Sequence, residues 1–511
     1  MKKFPYFLII AAFYPVISLY ALNISEINII NVIRPLIFSL ICIGSLFGVL
    51  VLVLRDMQKA AIVATILFLV FSSYGAFYNV TKGFSIGKAV IGSHRVLLPF
   101  VTMHTLIILW LVIKRMRPPY SNVIQGFNFG AIVLLVFPLV QIGMQFNYVK
   151  LPARTINKAA VVPSQTNDDR PDVYYFLLDS YPRADFIRKW MDYDNTPFLD
   201  ALKQRGFYVA DCSLSNYSYT RLSLATSMNM NYIEALGVNT SPDNKDVRQL
   251  DPLIVHSSVR SDFEKAGYQS VAFETGYLFT EWRDADHYFR PESNPFTMPV
   301  LTSFESMLLQ NTEISVGLQY QLVRRFFGLT FPYFEKWQRE HYIIDQVKKI
   351  PEIPGAKFVF IHLVTTHRPY VFQPDGSILN DERYYIDDGV PINDEYYVRG
   401  FQYQLQFTNS YMLELIDTIL KNSKTPPVII LQGDHGVRFP GRQTILNALL
   451  IPNPKNELYP EISPVNNFRI VENSVLGTQL DLLDDTIHIS LVNKSPYKFR
   501  SGKKTDACEI Q

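Results

Sequence analysis

Acidic and histidine side chains stand at the ends of three apolar segments that lie far apart in the sequence. The run VYYFLLD ends in Asp179, FVFIHLVTTH contains His362 and His367, and VIILQGDH ends in Asp434 and His435. A single acid at the end of a strand is most often part of a turn or a helix cap. Three such ends in one chain favour a shared cation site, because carboxylates and imidazoles are common metal ligands.

A hydroxyl-rich segment, SNYSYTRLSLATSMNMNY, leads into an apolar helical pattern and supplies a candidate nucleophile. Thr220 and Ser223 lie near the expected start of this helix, where backbone amides are available to an anionic phosphate. A cation held by carboxylates and an imidazole activates a hydroxyl as well as water. Simple helix capping stays open as the alternative, because Ser and Thr are favoured at helix starts.

From residue 172 onward, short apolar runs alternate with longer amphipathic ones. The predicted strands are DVYYFLLDS, FYVA, QSVAFE, AKFVFIHLV and PPVIILQGD, and the predicted helices are TPFLDALKQRG, VRSDFEKAGY and YQLQFTNSYMLELIDTILKNS. This alternation predicts an α/β domain with a largely parallel sheet flanked by helices. Ligands of such sheets bind beyond the carboxyl ends of the strands, which is where the candidate residues stand.

Five apolar stretches near the amino terminus approach or reach the roughly 20 residues that cross a bilayer. They cover residues 4–22, 35–54, 60–80, 96–113 and 127–146. The first could be a cleaved signal peptide, but no clear small-residue cleavage site follows it, so a retained helix is favoured. The balance of basic residues places the amino terminus in the cytoplasm and everything after residue 146 on the outer side.

These patterns predict a transmembrane domain of about five helices over residues 1–147, a polar linker over 148–171, an α/β domain over 172–500 and a polar tail over 501–511. The net charge is +2 at pH 7, so nothing indicates nucleic acid as a partner. The cysteines Cys42, Cys212 and Cys508 lack a metal-type spacing and imply no disulfide framework. A bridge between Cys212 and Cys508 stays open.

Four motifs in a fixed order resemble the sulfatase-like branch of the alkaline phosphatase superfamily. They are DVYYFLLDSYPRAD, SNYSYTRLSLATSMNM, FIHLVTTHRPY and ILQGDHGVR. Each is weak alone, but the set is specific and covers nearly all of the soluble half. With five membrane helices, the chain looks similar to membrane-anchored lipoteichoic acid synthases and phosphoethanolamine transferases. The resemblance implies that residues 172–500 form a sulfatase-like, metal-dependent catalytic domain.

The same resemblance implies roles for five of the candidate residues. Asp179, Asp434 and His435 would be metal ligands, and Thr220 would be both a ligand and the nucleophile. His367 would be the active-site histidine that meets the substrate or its leaving group. The matching pattern around Thr220 is Thr-x-x-Ser, which raises this residue above the capping alternative.

Substrate contacts are assigned to His362, Arg438 and Ser223. The chain also departs from the family. It has YSYTRLS where sulfatases need a C/S-x-P-x-R segment to make formylglycine, so sulfate-ester hydrolysis by that route is not expected. Residues 436–452 contain no histidine, which two-metal members usually have, so one divalent metal is expected. The oxygen-rich ligand set suits Mn²⁺ or Zn²⁺.

The expected function is a membrane-anchored phosphotransferase. It would move a phospholipid-derived head group, of phosphoglycerol or phosphoethanolamine type, onto a surface glycan or lipid through a phosphothreonine at Thr220. Two alternatives stay open: a phosphodiesterase or sulfatase-like hydrolase that uses the same site, and a catalytically silent envelope assembly protein. The expected location is the cell membrane, with the catalytic domain on the periplasmic or extracellular side.

Overall fold

The chain divides into two compact units. One consists of Met1–Ala153 with Ser293–Glu335, and the other of Arg154–Glu292 with Lys336–Gln511. The structure is a computed structural model that describes residues 4–24, 27, 29–81, 84–86, 89–90, 92–149, 170–291, 301–318, 333–385, 391–437, 441–490, 495–502 and 508.

The helices in the described ranges belong to both units. In chain order they are α1 (Phe7–Leu22), α2 (Ile30–Leu54), α3 (Met57–Thr81), α4 (His94–Arg115), α5 (Ser121–Val149), α6 (Ala184–Met191), α7 (Thr196–Gln204), α8 (Thr220–Ser227), α9 (Asp251–Val255), α10 (Ser258–Lys265), α11 (Ser303–Gln310), α12 (Ile314–Leu318), α13 (Phe334–Val347), α14 (Glu395–Asn422) and α15 (Pro464–Val475).

The strands begin with a short hairpin in the first unit, and the others belong to the second. They are β1 (Ser85–Ile86), β2 (Ala89–Val90), β3 (Val173–Leu178), β4 (Tyr208–Val209), β5 (Gln269–Phe273), β6 (His287–Phe289), β7 (Lys357–Leu363), β8 (Val428–Gly433), β9 (Asn447–Leu450), β10 (Ile487–Ser490) and β11 (Phe499–Gly502).

All five apolar segments near the amino terminus are helical. Within the described residues, α2, α3, α4 and α5 are long and apolar enough to cross a membrane, whereas α1 has 16 residues and is shorter than the usual span. Large apolar side chains face outward from these helices, as Leu52 and Phe137 do at 78% and 73% exposure. In a water-soluble helical bundle such large apolar side chains would face inward. Their exposure here suits helices surrounded by lipid.

Helices α11 and α12 pack into this helical unit although they lie far along the chain. The Gly75 amide of α3 donates to the Asn311 carbonyl at 2.8 Å, and the Glu313 amide donates to the Phe71 carbonyl at 2.9 Å. In an uninterrupted helix the amide of Gly75 would bond to the carbonyl of Phe71. A Cβ on Gly75 would overlap the Gln310 carbonyl oxygen and lie 2.7 Å from the Asn311 Cα, so the approach requires glycine.

The second unit contains a seven-stranded sheet in its described part, in the order β4-β9-β8-β3-β7-β5-β6. The strands from β8 to β6 are mutually parallel, and β9 and β4 add an antiparallel edge. Every residue of β3, β7 and β8 is buried, as expected of central parallel strands. The predicted α/β domain with a largely parallel sheet is confirmed, and the antiparallel edge is an addition to it.

The register of the central strands brings their carboxyl ends together. Leu178, the last residue of β3, pairs with Leu363 of β7 on one side and with Gly433 of β8 on the other. Residues that directly follow β3 and β8 therefore emerge side by side at one edge of the sheet.

Local signals in the sequence explain where several helices end and begin. Gly206 and Gly267 follow α7 and α10 with φ of +89° and +83°, a conformation that glycine adopts without strain. Helix α14 starts eight residues before the predicted segment, because the Asp394 carboxylate accepts hydrogen bonds from the amides of Tyr396 and Tyr397 at 3.0 Å.

A disulfide joins Cys212 to Cys508 and ties the end of the chain to the second unit. The sequence spacing left this pairing open. Structural disulfides persist in oxidising compartments, so the bond agrees with the predicted outer location of the second unit.

We expect Gly75→Ala to destabilise the helical unit by about 1–3 kcal/mol, because the added methyl group displaces the backbone of residues 310–311. Gly48 of α2 is the matched control, since a Cβ there meets nothing within 4 Å. Thermal unfolding of the detergent-purified protein should show a lower midpoint for Gly75→Ala and an unchanged or slightly higher midpoint for Gly48→Ala. Equal midpoints would contradict the proposed packing of α11 and α12.

Candidate metal centre

Three side chains of types that bind metals meet at the carboxyl ends of the central strands. Asp179 directly follows β3, and Asp434 and His435 directly follow β8. One ligand atom from each of the three lies within 4.8 Å of the others. All three are buried, at 3%, 0% and 2% exposure. The predicted juxtaposition of Asp179 with the Asp434–His435 pair is therefore present in the fold, and the group could hold a divalent metal ion.

The hydrogen bonds of Asp434 and His435 bring a carboxylate oxygen and an imidazole nitrogen face to face. Asp434 Oδ1 accepts the amides of Ser180 and His435 at 2.9 and 2.8 Å. His435 Nδ1 lies 2.9 Å from the Gly436 carbonyl, which can only accept, so Nδ1 carries the proton and Nε2 has a lone pair. Asp434 Oδ2 has no hydrogen-bond donor among the described residues and lies 3.2 Å from Nε2. A cation satisfies the unbonded Oδ2 and can take the lone pair of Nε2 in place of the Thr220 and Arg442 donors, which lie 3.3 and 3.2 Å from it, so the residues fit a metal.

The charges of the site point the same way. Burial and the neighbouring Asp179 carboxylate raise the pKa of Asp434 to about 7. Burial also opposes ionisation of Asp179, but His367 and His362 outweigh it and hold the pKa of Asp179 well below its usual range. Burial lowers the pKa of His435 to about 3, so its imidazole is neutral at pH 7. Such a cluster of carboxylates and a neutral imidazole suits a dication.

Thr220 lies beside the three ligands, at the first residue of α8. Its Oγ1 is 3.3 Å from His435 Nε2. The first amides of a helix have no intrahelical partner, so this hydroxyl sits where an anionic group is favoured. The predicted helix start and the predicted proximity of Thr220 to the ligand set are both found.

Ser180 is part of the site and was missed by sequence reasoning. Its backbone has φ of +62°, the left-handed region that a serine adopts only at a cost. This conformation lets its amide donate to Asp434, while its hydroxyl donates to Asp179 Oδ1 at 3.0 Å. One strained residue thus fixes both carboxylates. A serine after a strand-end acid carries no such signal by itself.

His362 and Ser223 lie behind the ligands. His362 is fully buried, with Nε2 3.3 Å from Asp179 Oδ2 and Nδ1 3.1 Å from the Thr280 hydroxyl. Ser223 is also fully buried, 3.3 Å from the Ser215 hydroxyl. These positions favour support of the ligands, and the predicted substrate contacts of both residues stay predictions. The predicted substrate contact Arg438 lies outside the described residues.

The turn that carries His367 is held by helix α13. Lys336 Nζ donates to the carbonyl of His367 and, at 3.0 Å, to the carbonyl of Pro369. One helical turn later, Glu340 Oε2 accepts the amide of Val364 at 3.0 Å. Lys336 and Glu340 are buried, at 8% and 0% exposure. A Lys and a Glu four residues apart usually indicate an exposed helix face, so sequence reasoning did not single them out.

Arg442 is a further basic residue at the site. Its Nη2 is 3.2 Å from His435 Nε2, and its Nε donates to the Ser218 carbonyl at 2.8 Å. A guanidinium at this position is suited to contact an anionic group. Only its basic character could have indicated this, and the chain offers many other arginines.

No protein-family model matches the chain, and no curated protein sequence matches it. Solved structures that resemble it include the zinc complex of the C-terminal periplasmic domain of EcEptC from Escherichia coli. That match has 13% identity and a TM-score of 0.38, and it covers 60% of this chain and 82% of that chain. The lipoteichoic acid synthase LtaP from Listeria monocytogenes has 14% identity, 64% and 78% coverage, and a TM-score of 0.38.

The integral membrane lipooligosaccharide phosphoethanolamine transferase EptA from Neisseria meningitidis has 11% identity, and the match covers 92% of this chain and 95% of that chain with a TM-score of 0.37. These structures include both enzyme groups that the sequence motifs resemble. At these identities and TM-scores the likeness assigns no metal, substrate or activity to this chain.

We expect the purified protein to bind about one equivalent of Mn²⁺ or Zn²⁺ and Asp434→Asn to bind it at least about tenfold more weakly, because the variant loses a charged ligand. Asp375→Asn, at an exposed loop position, is the control with the same change in charge. Metal content after chelation, reloading and desalting is the measurement. Equal metal in the wild type and Asp434→Asn would rule out this centre.

The buried lysine generates a pH prediction. Burial lowers the pKa of Lys336 to about 7, so above pH 7 the unfolded chain binds one proton more at this residue than the folded protein. Folding stability should therefore rise with pH between 7 and 9.5, by up to about 1.4 kcal/mol per unit. Urea unfolding of Lys336→Met should lack this part of the slope. Lys455→Met, at an exposed position, should keep the full slope of stability against pH. Equal slopes for the wild type and Lys336→Met would show that Lys336 does not have the lowered pKa.

Proposed function

We propose that the protein is a membrane-anchored, metal-dependent phosphotransferase with Thr220 as its nucleophile. The observation that carries the proposal is the Thr220 hydroxyl, which lies at a helix start and 3.3 Å from Nε2 of His435, a proposed metal ligand. A hydroxyl placed at a cation site and beside helix amides is suited to attack a phosphoryl group. The motifs that resemble sulfatase-like transferases support the same reaction class.

The proposed metal site consists of Asp179, Asp434, His435 and the Thr220 hydroxyl, with one Mn²⁺ or Zn²⁺. The oxygen-rich set, with a single imidazole, suits either ion. A bound ion would lower the pKa of the hydroxyl and stabilise charge on the phosphoryl oxygens, which in comparable sites is worth several kcal/mol.

The reaction proceeds in two displacements. In the first, Thr220 Oγ1 forms a bond to phosphorus, the bond from phosphorus to the alcohol of the donor breaks, and the alcohol leaves with the proton that the hydroxyl gave up. His367, whose pKa is lowered by burial, is proposed to carry this proton. In the second, the oxygen of an acceptor alcohol displaces Thr220, and the threonine hydroxyl regains a proton. Two steps through a covalent intermediate replace one difficult displacement.

The contacts of α13 explain how His367 could be kept in place. Lys336 and Glu340 hold both ends of the turn that contains it, and the Thr366 hydroxyl donates to the Asp179 backbone carbonyl at 2.5 Å. Arg442, His362 and Ser223 are proposed to orient the phosphate and the ligands. Precise placement of reacting groups is the main contribution that such a shell makes to catalysis.

The donor is proposed to be a phospholipid, with a head group of phosphoglycerol or phosphoethanolamine type, and the acceptor a surface glycan or lipid. Helices of spanning length in the first unit support a multi-pass location in the cell membrane. The Cys212–Cys508 disulfide supports an outer, oxidising location for the second unit. A catalytic domain on that side is therefore proposed to act on lipid head groups.

A hydrolase with the same site is the second candidate, because water could replace the acceptor alcohol in the second displacement. Product analysis with and without an added acceptor alcohol distinguishes the two: a transferase gives a head-group phosphate ester of the acceptor, and a hydrolase gives the free head-group phosphate in both cases. A silent assembly protein is disfavoured by the intact set of Asp179, Thr220, Asp434 and His435.

We expect intact-protein mass spectrometry to detect a head-group phosphate adduct on the wild type after incubation with the true donor lipid. Phosphatidylglycerol and phosphatidylethanolamine are tested separately. Thr220→Ala should give no adduct, because it lacks the attacking oxygen. Thr226→Ala, in the same helix with a hydroxyl bonded to the Leu222 carbonyl, is the control that should retain it. An adduct that persists on Thr220→Ala would mean that another residue is the nucleophile.

A further inference from the structure

The helical unit contains a cavity of about 600 Å³ between its helices. This volume lies within the range of about 300–1,000 Å³ that is common for sites of small ligands. Most of its wall is apolar and comes from α1 to α4, including Phe38, Leu67 and Leu106. Helices α11 and α12 close the remaining side with Leu308, Leu309, Thr312, Glu313 and Ile314. A wall of this kind suits a hydrocarbon chain.

Glu313 is the charged residue of this wall, and its carboxylate has no hydrogen bond or ion pair with any residue that the structure describes. It is half-buried. Glu305, in the same segment, differs: its carboxylate accepts from both Nε and Nη2 of Arg34. A carboxylate among apolar groups is costly unless a cation or hydrogen-bond donor compensates it. A cationic group that enters the cavity would therefore gain affinity from the Glu313 carboxylate.

The position of Glu313 is fixed by its backbone. Its amide donates to the Phe71 carbonyl of α3, and the preceding Thr312 hydroxyl accepts the Ile314 amide at 3.2 Å at the start of α12. The close approach at Gly75 described above holds the same segment against α3. The acid is thus built into the cavity wall and is not the tip of a free loop.

We propose that this cavity binds a membrane lipid whose head group carries an ammonium, with an acyl chain along the apolar wall and the ammonium at Glu313. The charge of Glu313 selects a cationic group and disfavours an anionic head group on the same chains. Thr102 and Thr105 of α4 also line the cavity and add hydroxyls to its polar part. The proposal rests on the proposed membrane location, but not on the chemistry at Thr220.

The test uses the full-length Thr220→Ala protein, because the variant lacks the proposed nucleophile and should not consume the lipid. The protein is placed in nanodiscs made of a synthetic anionic lipid, without phosphatidylcholine. Native mass spectrometry then measures retention of dioleoyl phosphatidylethanolamine and of dioleoyl phosphatidylglycerol, which share the same chains. We expect the ethanolamine lipid to be retained preferentially. Glu313→Gln should reduce its retention about tenfold, equivalent to 1.4 kcal/mol, and leave the glycerol lipid unchanged. Glu395→Gln, in the second unit, should have no effect.

Two further measurements keep the outcome decisive if Glu313→Gln disturbs the fold. With the Thr220→Ala protein, octadecylamine should displace the ethanolamine lipid, because it carries an ammonium. Stearic acid has a chain of the same length but a carboxylate, and it should not displace the lipid. Leu309→Trp, which fills the cavity, should weaken retention of the lipid. Equal retention of both lipids by the parent protein, or parallel loss of both in Glu313→Gln, would overturn the proposal, since the cavity would then be an unselective acyl crevice. A negative result leaves a Thr220 adduct unaffected, so the two proposals fail separately.

Discussion

Two carboxylates buried side by side are the constraint on which the second unit depends. The shared register of β7, β3 and β8 forces Asp179 and Asp434 to emerge next to each other, and burial removes the water that would screen their repulsion. The surrounding groups compensate this charge: imidazoles face Asp179, and two amides bond one oxygen of Asp434. The other oxygen of Asp434 has no donor among the described residues and faces His435 Nε2, so a cation is favoured there.

The residues around these carboxylates restrict their movement. Ser180 has a strained backbone conformation in which its amide and its hydroxyl donate hydrogen bonds to the two carboxylates. Helix α13 contributes Lys336 and Glu340, which bond the backbone of the turn after β7 from a buried position. Both side chains give up hydration, and burial raises the pKa of Glu340 as it lowers that of Lys336. Such costs are typical where geometry, more than stability, is what a site needs.

The parts of this site that could be predicted from sequence are those encoded locally. A buried strand that ends in an acid, and a hydroxyl before an apolar helix, are visible as patterns, and so Asp179, Thr220 and Asp434 were found. Lys336 and Arg442 were not, because a basic residue in a helix or loop has the same appearance whether it is solvated or buried. The packing of α11 and α12 depends on a contact with Gly75, more than 200 residues away in the chain, and no local pattern specifies it.

The buried and half-buried charged side chains differ in whether the chain itself supplies a partner of opposite charge. Several buried or half-buried charges have partners in the chain, as Lys357 has in Asp172 at 3.1 Å and Arg34 has in Glu305. Asp434 and Glu313 differ: Asp434 Oδ2 has no hydrogen-bond donor among the described residues, and Glu313 lines a largely apolar cavity with no ion pair to a described residue. Since an uncompensated acid in a low-dielectric setting is unfavourable, a ligand that supplies positive charge gains affinity at each place. The same electrostatic rule thus favours a metal ion in the α/β unit and an ammonium head group in the helical unit.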